Sequence, residues 1–124
     1  MGLGCGNASH CRRTCRLCPR PRDNCVHDGD TVWLAGEKIR ISDIDTPELN
    51  GRCEYERRLA LRARSRLVEL LNAGEFEIAR AGQDRYGRTL ATLHRSGRSI
   101  GSQLVSEGLA RTWSGRREPW CSNG

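Results

Sequence analysis

The stretch from Asp28 to Glu48, DGDTVWLAGEKIRISDIDTPE, limits the possible folds of this chain more than any other part of it. Asp28-Gly29 and residues 35–38 have the composition of turns. Residues 31–34 between them are rich in β-branched and aromatic side chains, which favours a strand. Ile39 and Ile41 alternate with Arg40 and Ser42, which is the period of a half-buried strand, and Ile44 is expected to continue that strand. The stretch therefore predicts two strands paired through a short turn.

Pairing of these strands would bring several charged side chains together. Asp30 and Asp45 would lie near the same end of the hairpin, with Arg40 on its second strand and Glu48 after the rigid Thr46–Pro47 corner. Two carboxylates and a backbone carbonyl suit a hard cation such as Ca²⁺ or Mg²⁺. An arginine beside such a cation suits a phosphate, and a further carboxylate can activate water. These groups are the ones that hydrolysis of a phosphodiester requires.

Three motifs in order resemble the staphylococcal nuclease (thermonuclease) family. The first is V-x-D-G-D-T followed by I-R-I and D-I-D-T-P-E, the second is D-R-Y-G-R at 84–88, and the third is G-L-A at 108–110. The resemblance extends from about residue 25 to about residue 113, and the order of the motifs makes it specific. It implies a Ca²⁺-dependent nuclease that cleaves DNA, RNA or both and leaves 3′-phosphate ends.

Seven positions of this sequence match site residues of that family, and Asp84 lies in the same loop as one of them. The implied metal ligands are Asp30, Asp45 and the backbone carbonyl of Thr46, the implied catalytic residues are Arg40, Glu48 and Arg88, and the implied substrate-binding residues are Tyr86 and Asp84. In this assignment Arg40 and Arg88 contact the scissile phosphate, and Glu48 acts as general base. Each charged residue taken singly is also compatible with a turn or a surface position. Their presence together and in order favours the catalytic interpretation.

The remaining pattern predicts five short strands and two helices. The expected strands begin at Val26 and cover 31–34, 39–44, 76–78 and 89–94, and the expected helices cover about 53–72 and 100–107. A helix after the third strand and another after the fifth fit an α+β, mainly β fold of the OB type, a five-stranded barrel. The resemblance implies the same fold. A further C-terminal helix of the best-known family member is not evident here, since only a short polar tail follows Ala110.

Residues 1–25 differ in composition from the rest, so we divide the chain into a Cys- and Arg-rich segment, 1–25, and a nuclease domain, 26–124. We expect the first to be poorly structured. Its five arginines and single aspartate supply +4 of the net charge of +6. The predicted domain is therefore nearly neutral, and basicity alone is weak evidence for a nucleic-acid partner.

The seven cysteines leave several alternatives open. Cys15-x-x-Cys18 has the spacing of a zinc ligand pair, but no second pair of that kind accompanies it. Disulfides in an exported protein and a disordered leader are the other two interpretations of this segment. The favoured bridge here joins Cys18 to Cys25, and a second candidate bridge joins Cys53 to Cys121. The second would pin the tail in a domain that lacks the usual last helix.

The expected partner is DNA or RNA, the expected cofactor is Ca²⁺, and we expect a monomer that does not contact membranes. Nothing approaches 18 consecutive apolar residues, and the first residues do not form a visible signal peptide. The resemblance and the cysteine content nevertheless favour a secreted or periplasmic protein. The main alternative function is a catalytically weak module that binds nucleic acid. A regulatory protein stapled by a metal at its Cys-rich segment is a third.

Overall fold

The computed structural model describes residues 10–11, 16–17 and 24–122, and these form a mainly β protein with two helices. The strands described are β1 His10–Cys11, β2 Arg16–Leu17, β3 Cys25–Asp28, β4 Thr31–Leu34, β5 Glu37–Ile41, β6 Ile44–Asp45, β7 Phe76–Gln83, β8 Thr89–Arg95, β9 Arg98–Ser99 and β10 Arg111–Thr112. The helices are α1 Glu54–Asn72 and α2 Ile100–Ser106. The predicted α+β class and its two helices are confirmed.

The larger sheet runs in the order β1-β7-β8-β5-β4-β3-β2, with β9 paired to β8. β4 and β5 form the predicted antiparallel hairpin, in which Thr31 lies opposite Arg40. β5 and β8 run parallel, with Ile39 opposite Thr89, so two distant parts of the sequence become neighbours. Within the described residues this order is an open path, and closure into a five-stranded barrel stays a prediction.

Helix α1 covers the sheet because its apolar residues share one face. The buried positions on this face are Leu59, Ala60, Ala63, Leu67 and Leu71. They pack in one core with side chains from the strands, among them the fully buried Phe76. Burial of a side chain of this size stabilises the fold by roughly 1.5–3 kcal/mol. Neither of the two described helices combines the length and the apolar character needed to cross a membrane.

The predicted strand at 39–44 is wrong at its C-terminal end. β5 stops at Ile41, and the chain turns at Ser42 and Asp43 before β6 begins. The Asp43 carboxylate accepts a hydrogen bond of 2.6 Å from the Ser99 hydroxyl, which fixes this turn. β6 then pairs with β10 instead of continuing beside β8. The sequence contains the reason, because the spacing from Ile41 to Ile44 is three residues and breaks the period of two.

The predicted strand at 76–78 is too short, because residues 79–83 continue it. β7 extends to Gln83, and its pairing with β8 shifts register between Arg80 and Gln83. Gly82 has φ +89°, a conformation that suits glycine, at the point of this irregularity. The glycine therefore marks a bulge inside a long strand, whereas the sequence was interpreted as the end of a shorter one.

Two pairs of residues from the N-terminal segment belong to the sheet. β1 pairs with β7, and β2 runs parallel to β3, with Leu17 opposite Val26. Cys25, the last residue of the predicted segment, starts β3, is fully buried and is disulfide-bonded. Its predicted partner Cys18 and the zinc candidate Cys15 lie outside the described residues.

The C-terminal tail is extended and is attached to the domain at several points. β10 pairs with β6, and Cys121 forms a disulfide with Cys53 immediately before α1 (S–S 2.08 Å). Trp120 packs against the core, and the Arg111 guanidinium lies 3.7 Å from the centroid of its ring. In the described residues no helix follows α2, and these contacts hold the extended tail against the domain.

We expect the double substitution Cys53→Ser, Cys121→Ser to lower the free energy of unfolding by about 2–4 kcal/mol. The bridge spans 68 residues, and the chain-entropy model assigns roughly 4 kcal/mol to a loop of this size, of which proteins often realise less. Urea unfolding followed by tryptophan fluorescence measures the change. The control is a double substitution at two exposed positions, Ser102→Ala with Ser106→Ala, and we expect it to change the free energy of unfolding little. An unchanged urea midpoint in the cysteine variant would contradict the stabilising role of the bridge.

Candidate active site

The turn between β3 and β4 places the first carboxylates of the candidate site. The Asp30 N–H donates to the Asp28 carboxylate over 3.2 Å, which closes the turn around Gly29. A side chain at Gly29 would lie 3.0 Å from both Ala63 of α1 and the Thr46 methyl group. Glycine at this position therefore allows the helix and the 46–48 corner to approach the turn closely, and this approach brings the two ends of the acidic stretch together.

Asp30 is buried and its carboxylate is held by neighbours on both sides. One oxygen accepts a hydrogen bond of 3.1 Å from the Thr31 hydroxyl, and the other lies 3.5 Å from Nη1 of Arg40. The Asp30 carbonyl accepts from the N–H of Ile41 over 2.8 Å, which links the turn to β5. The carboxylate therefore has a fixed orientation before any ligand arrives.

Asp45 presents a buried carboxylate with an unused oxygen. Its side chain is only 3% exposed, and within the described structure Oδ2 is buried without a hydrogen-bond partner. Burial raises the pKa of this carboxyl, and the nearby Asp30 raises it further, whereas Arg117 opposes the shift. A buried carboxylate oxygen without a partner is costly, so a cation at this place would be strongly favoured.

The donors present fit a hard cation held by few protein ligands. Asp30 and Asp45 interact electrostatically, and the buried Thr46 follows Asp45 directly. The described residues contain no group of three or more His, Cys, Asp and Glu side chains placed to bind a metal ion. The predicted site consists of two carboxylates and one carbonyl, with the other positions left to water or substrate, and it stays a prediction.

Asp28 is an acidic neighbour that the sequence interpretation treated only as a turn residue. Burial, followed by the proximity of Asp30 and Glu48, raises the pKa of Asp28 to about 7. The D-G-D spacing could have identified it, since residues two apart on a turn converge. Three carboxylates on this small surface create a negative potential that attracts cations.

Arg40 lies beside the carboxylates of Asp30 and Asp45, and we call the site formed by these three residues and Glu48 the acidic pocket. Its Nη1 donates to the Ile41 carbonyl and, over 3.1 Å, to the Ile44 carbonyl. Its guanidinium also lies 5.9 Å from the centroid of the Trp113 ring, on the tail. These contacts hold the arginine in place beside Asp30, which suits a group that must meet a phosphate in a defined geometry.

The first turn of α1 positions the backbone of Glu48. The buried Glu56 accepts a hydrogen bond of 3.0 Å from the Glu48 N–H and another of 3.1 Å from the Arg52 N–H. A side chain at Gly51 would come within 2.5 Å of Glu56, so glycine is needed there. The sequence placed Glu56 only within the predicted helix at 53–72. Its function in fixing the 48–52 loop required knowledge of how that loop folds back.

Arg88, Asp84 and Tyr86 form a second cluster, in the turn between β7 and β8. The Asp84 carboxylate accepts from the backbone N–H groups of Tyr86 and Arg88, both over 2.9 Å, and from Nε of Arg88 over 2.6 Å. Burial opposes ionisation of Asp84, but these hydrogen bonds outweigh it and keep its pKa below the usual value. Tyr86 itself is exposed, with the Arg88 guanidinium 5.7 Å from its ring centroid.

The parallel pairing of β5 and β8 determines how the two clusters are related. Thr89, which follows Arg88, lies opposite Ile39, which precedes Arg40. Arg40, on β5, and Arg88, immediately before β8, therefore lie at backbone positions close to this residue pair. Asp30, Asp45, Arg40 and Glu48 lie together in the acidic pocket, whereas the contacts of Arg88 in the described residues are with Asp84 and Tyr86.

One residue of the pocket was missed by the sequence interpretation altogether. Arg117, from the tail, lies 3.1 Å from Asp45 and 2.5 Å from Glu48. The sequence offered only a pair of arginines in a polar tail, and their proximity to the pocket depends on the path of the chain after β10.

Comparison with known proteins is consistent with this arrangement. The model of a family described as Staphylococcal nuclease homologue matches residues 38–122. An uncharacterized endonuclease of Haemophilus influenzae is 28% identical over 75% of this chain and 54% of its own length. The Succinoglycan biosynthesis protein ExoI of Rhizobium meliloti is 36% identical, over 68% and 48%. Micrococcal nuclease of Shigella flexneri is 32% identical, over 68% and 53%.

The chain thus spans about half the length of the curated relatives that it matches. The family match itself covers well over half of this chain and includes Arg40, Asp45, Glu48 and Arg88. Together with the ordered motifs and the two-helix, mainly β fold, it establishes that the chain belongs to the Staphylococcal nuclease homologue family.

Proposed function

We propose that this protein hydrolyses phosphodiester bonds of DNA, RNA or both with the help of bound Ca²⁺, and that it leaves 3′-phosphate ends. The observation that carries the proposal is the buried, unpartnered oxygen of Asp45 beside Asp30, with Arg40 on the adjacent wall. Relatives named endonuclease or micrococcal nuclease support the same reaction class.

In this proposal Asp30, Asp45 and the Thr46 carbonyl hold the metal. When bound, Ca²⁺ would supply positive charge against the phosphoryl oxygens. Glu48 takes a proton from a water molecule, whose oxygen attacks phosphorus in line. The bond from phosphorus to the 5′ oxygen breaks, and that oxygen leaves as a hydroxyl after taking up a proton. The products are a 3′-phosphate and a 5′-hydroxyl end.

In this proposal Arg40 and Arg88 stabilise the negative charge that develops on the phosphoryl oxygens. Arg40 is already fixed by two backbone carbonyls, so its remaining donors meet the phosphate with little reorganisation. Arg88 is fixed through Asp84, which accepts from its Nε, and its Nη groups would supply the donors to the phosphate. Tyr86, exposed next to Arg88, offers a ring on which a base can stack.

A catalytically weak nucleic-acid-binding module is the competing function, and one relative is named for succinoglycan biosynthesis rather than for a nuclease. The complete set of charged side chains around a pre-oriented pocket favours hydrolysis. Binding alone would not require a general base or a buried cation site.

We further propose that the protein works in an oxidising compartment, as a secreted or periplasmic protein would. The Cys53–Cys121 disulfide and the bonded state of Cys25 support this, because such bridges persist where thiols are not kept reduced.

We expect activity on single-stranded DNA, duplex DNA or RNA to require Ca²⁺ and to vanish in EDTA, while far-UV circular dichroism stays unchanged. Asp30→Asn should weaken Ca²⁺ binding, measured by calorimetry, because it removes one of two ligand charges. Glu54→Gln is the matched control, since it removes a charge from an exposed part of α1. Full activity in EDTA would contradict the metal requirement, and turnover of none of the three substrates would favour the binding module.

We expect Arg88→Lys to reduce kcat by about 10²-fold or more, because lysine keeps the charge but not the two-pronged geometry. The KM should change far less, since ground-state binding uses a wider surface. Arg85→Lys is the control, because Arg85 lies in the same turn and near the same Tyr86 ring. Steady-state kinetics of both variants give the kcat and KM values that test this prediction. A rate within a factor of about two of the parent in Arg88→Lys would show that Arg88 is not a phosphate clamp.

We expect Glu48→Gln to reduce turnover by roughly 10²-fold or more, in the range typical of losing a general base. Its Ca²⁺ affinity should stay within a few-fold of the parent, because Glu48 is not one of the proposed ligands. Single-turnover kinetics combined with calorimetry separate the two quantities. A loss of Ca²⁺ binding in parallel with the loss of rate would reassign Glu48 to the metal.

A further inference from the structure

Arg117 joins the two most important carboxylates of the pocket with a single side chain. Its Nη1 lies 3.1 Å from Oδ1 of Asp45, and its Nη2 lies 2.5 Å from Oε2 of Glu48. A planar guanidinium that meets two separate carboxylates uses both prongs of its fork. The same arginine therefore neutralises a proposed metal ligand and the proposed base.

The tail holds Arg117 at this place from both sides. Before it, β10 pairs with β6, so that Arg111 lies opposite Asp45. After it, Cys121 is bonded to Cys53, and the Glu118 carbonyl accepts a hydrogen bond of 3.1 Å from Arg111. The backbone on either side is thus anchored next to the pocket, while the Arg117 side chain spans the gap.

The two partners of this ion pair differ in how much they depend on it. The Asp45 side chain is 3% exposed, whereas that of Arg117 is 52% exposed. A buried carboxylate needs a counter-charge, whereas a half-exposed guanidinium can return to water at little cost. This difference in exposure suits an arginine that a cation of higher charge can displace from Asp45.

We propose that Arg117 is an internal competitor of the metal: it occupies Asp45 and Glu48 while the cation is absent and must be displaced from Asp45 when the cation binds. This inference rests on the proposed Ca²⁺-dependent function. Two cations that share one carboxylate repel each other, so binding of one weakens the other by the same factor. Displacement also frees Glu48 to act on water. Arg117 is in this sense a positioning residue that links occupation of the metal site to release of the base.

The test compares Arg117→Gln with Arg116→Gln in the full chain with its disulfides intact. Arg116 is the adjacent residue and pairs with the exposed Glu118, so its substitution changes the net charge equally without touching the pocket. Calorimetric titration with Ca²⁺ at pH 8 should show binding to Arg117→Gln at least about 5-fold tighter than to the parent, within the range usual for coupled sites. Arg116→Gln should bind like the parent, and Arg117→Lys should lie between.

Thermal unfolding gives a second readout that does not depend on activity. In EDTA, Arg117→Gln should unfold at a lower temperature than Arg116→Gln, because it leaves Asp45 and Glu48 without their counter-charge. Saturating Ca²⁺ should raise the unfolding temperature more in Arg117→Gln than in the parent, as reciprocity requires.

Equal or weaker Ca²⁺ binding by Arg117→Gln, with binding by the parent intact, would overturn this inference and leave the proposed function standing. Loss of affinity for a nucleic acid without a change in Ca²⁺ affinity would also overturn it, since Arg117 would then be a phosphate contact. If neither the parent nor Arg117→Gln binds a divalent cation, the Ca²⁺-dependent function fails, and the competition fails with it.

Discussion

The burial of Asp45 next to Asp30 is the constraint around which the rest of this structure is arranged. Burial removes the hydration of the Asp45 carboxylate and the neighbouring Asp30 charge repels it, and both effects raise the pKa of Asp45. The fold offsets this cost by bringing positive charge to the pocket from two parts of the chain. Arg40 comes from β5 and Arg117 from the tail. Even with both arginines in place, Oδ2 of Asp45 is left without a partner in the described residues. A cation is the simplest group that completes such a set.

The residues that position the side chains of the pocket have roles as specific as those of the charged groups themselves. Gly29 permits the close approach of α1 and Thr46, and Glu56 fixes the backbone of Glu48 through a partly buried hydrogen bond. The turn at Ser42 and Asp43 ends β5, so that β6 can carry Asp45 into the site. Preorganisation of this kind places each side chain before the ligand arrives, which is where most of the catalytic advantage of a polar site originates.

The tail connects stability with chemistry. In the described residues it forms no helix, yet it pairs with β6, packs Trp120 on the core and ends in the bridge to Cys53. The same segment carries Arg117 to the acidic pocket and Trp113 to Arg40. A tail held this firmly can contribute charge to the site as reliably as a strand does, although its composition resembles that of a loop.

The sequence by itself determined the class of the fold, the β4–β5 hairpin, the helix α1 and the family. Local patterns are enough for these, because alternation, helical periodicity and ordered motifs depend on residues close in sequence. The interpretation failed at the end of β5, where the chain turns at Ser42 and Asp43, and in the middle of β7, where a bulge at Gly82 lies inside a longer strand. Only the tertiary structure decided that Glu56 holds Glu48 and that Arg117 bridges Asp45 and Glu48. Asp45 and Arg117 are 72 residues apart, and what joins them is the pairing of β6 with β10 and a disulfide. Contacts of that range depend on how the whole chain packs, and no short stretch of sequence contains them.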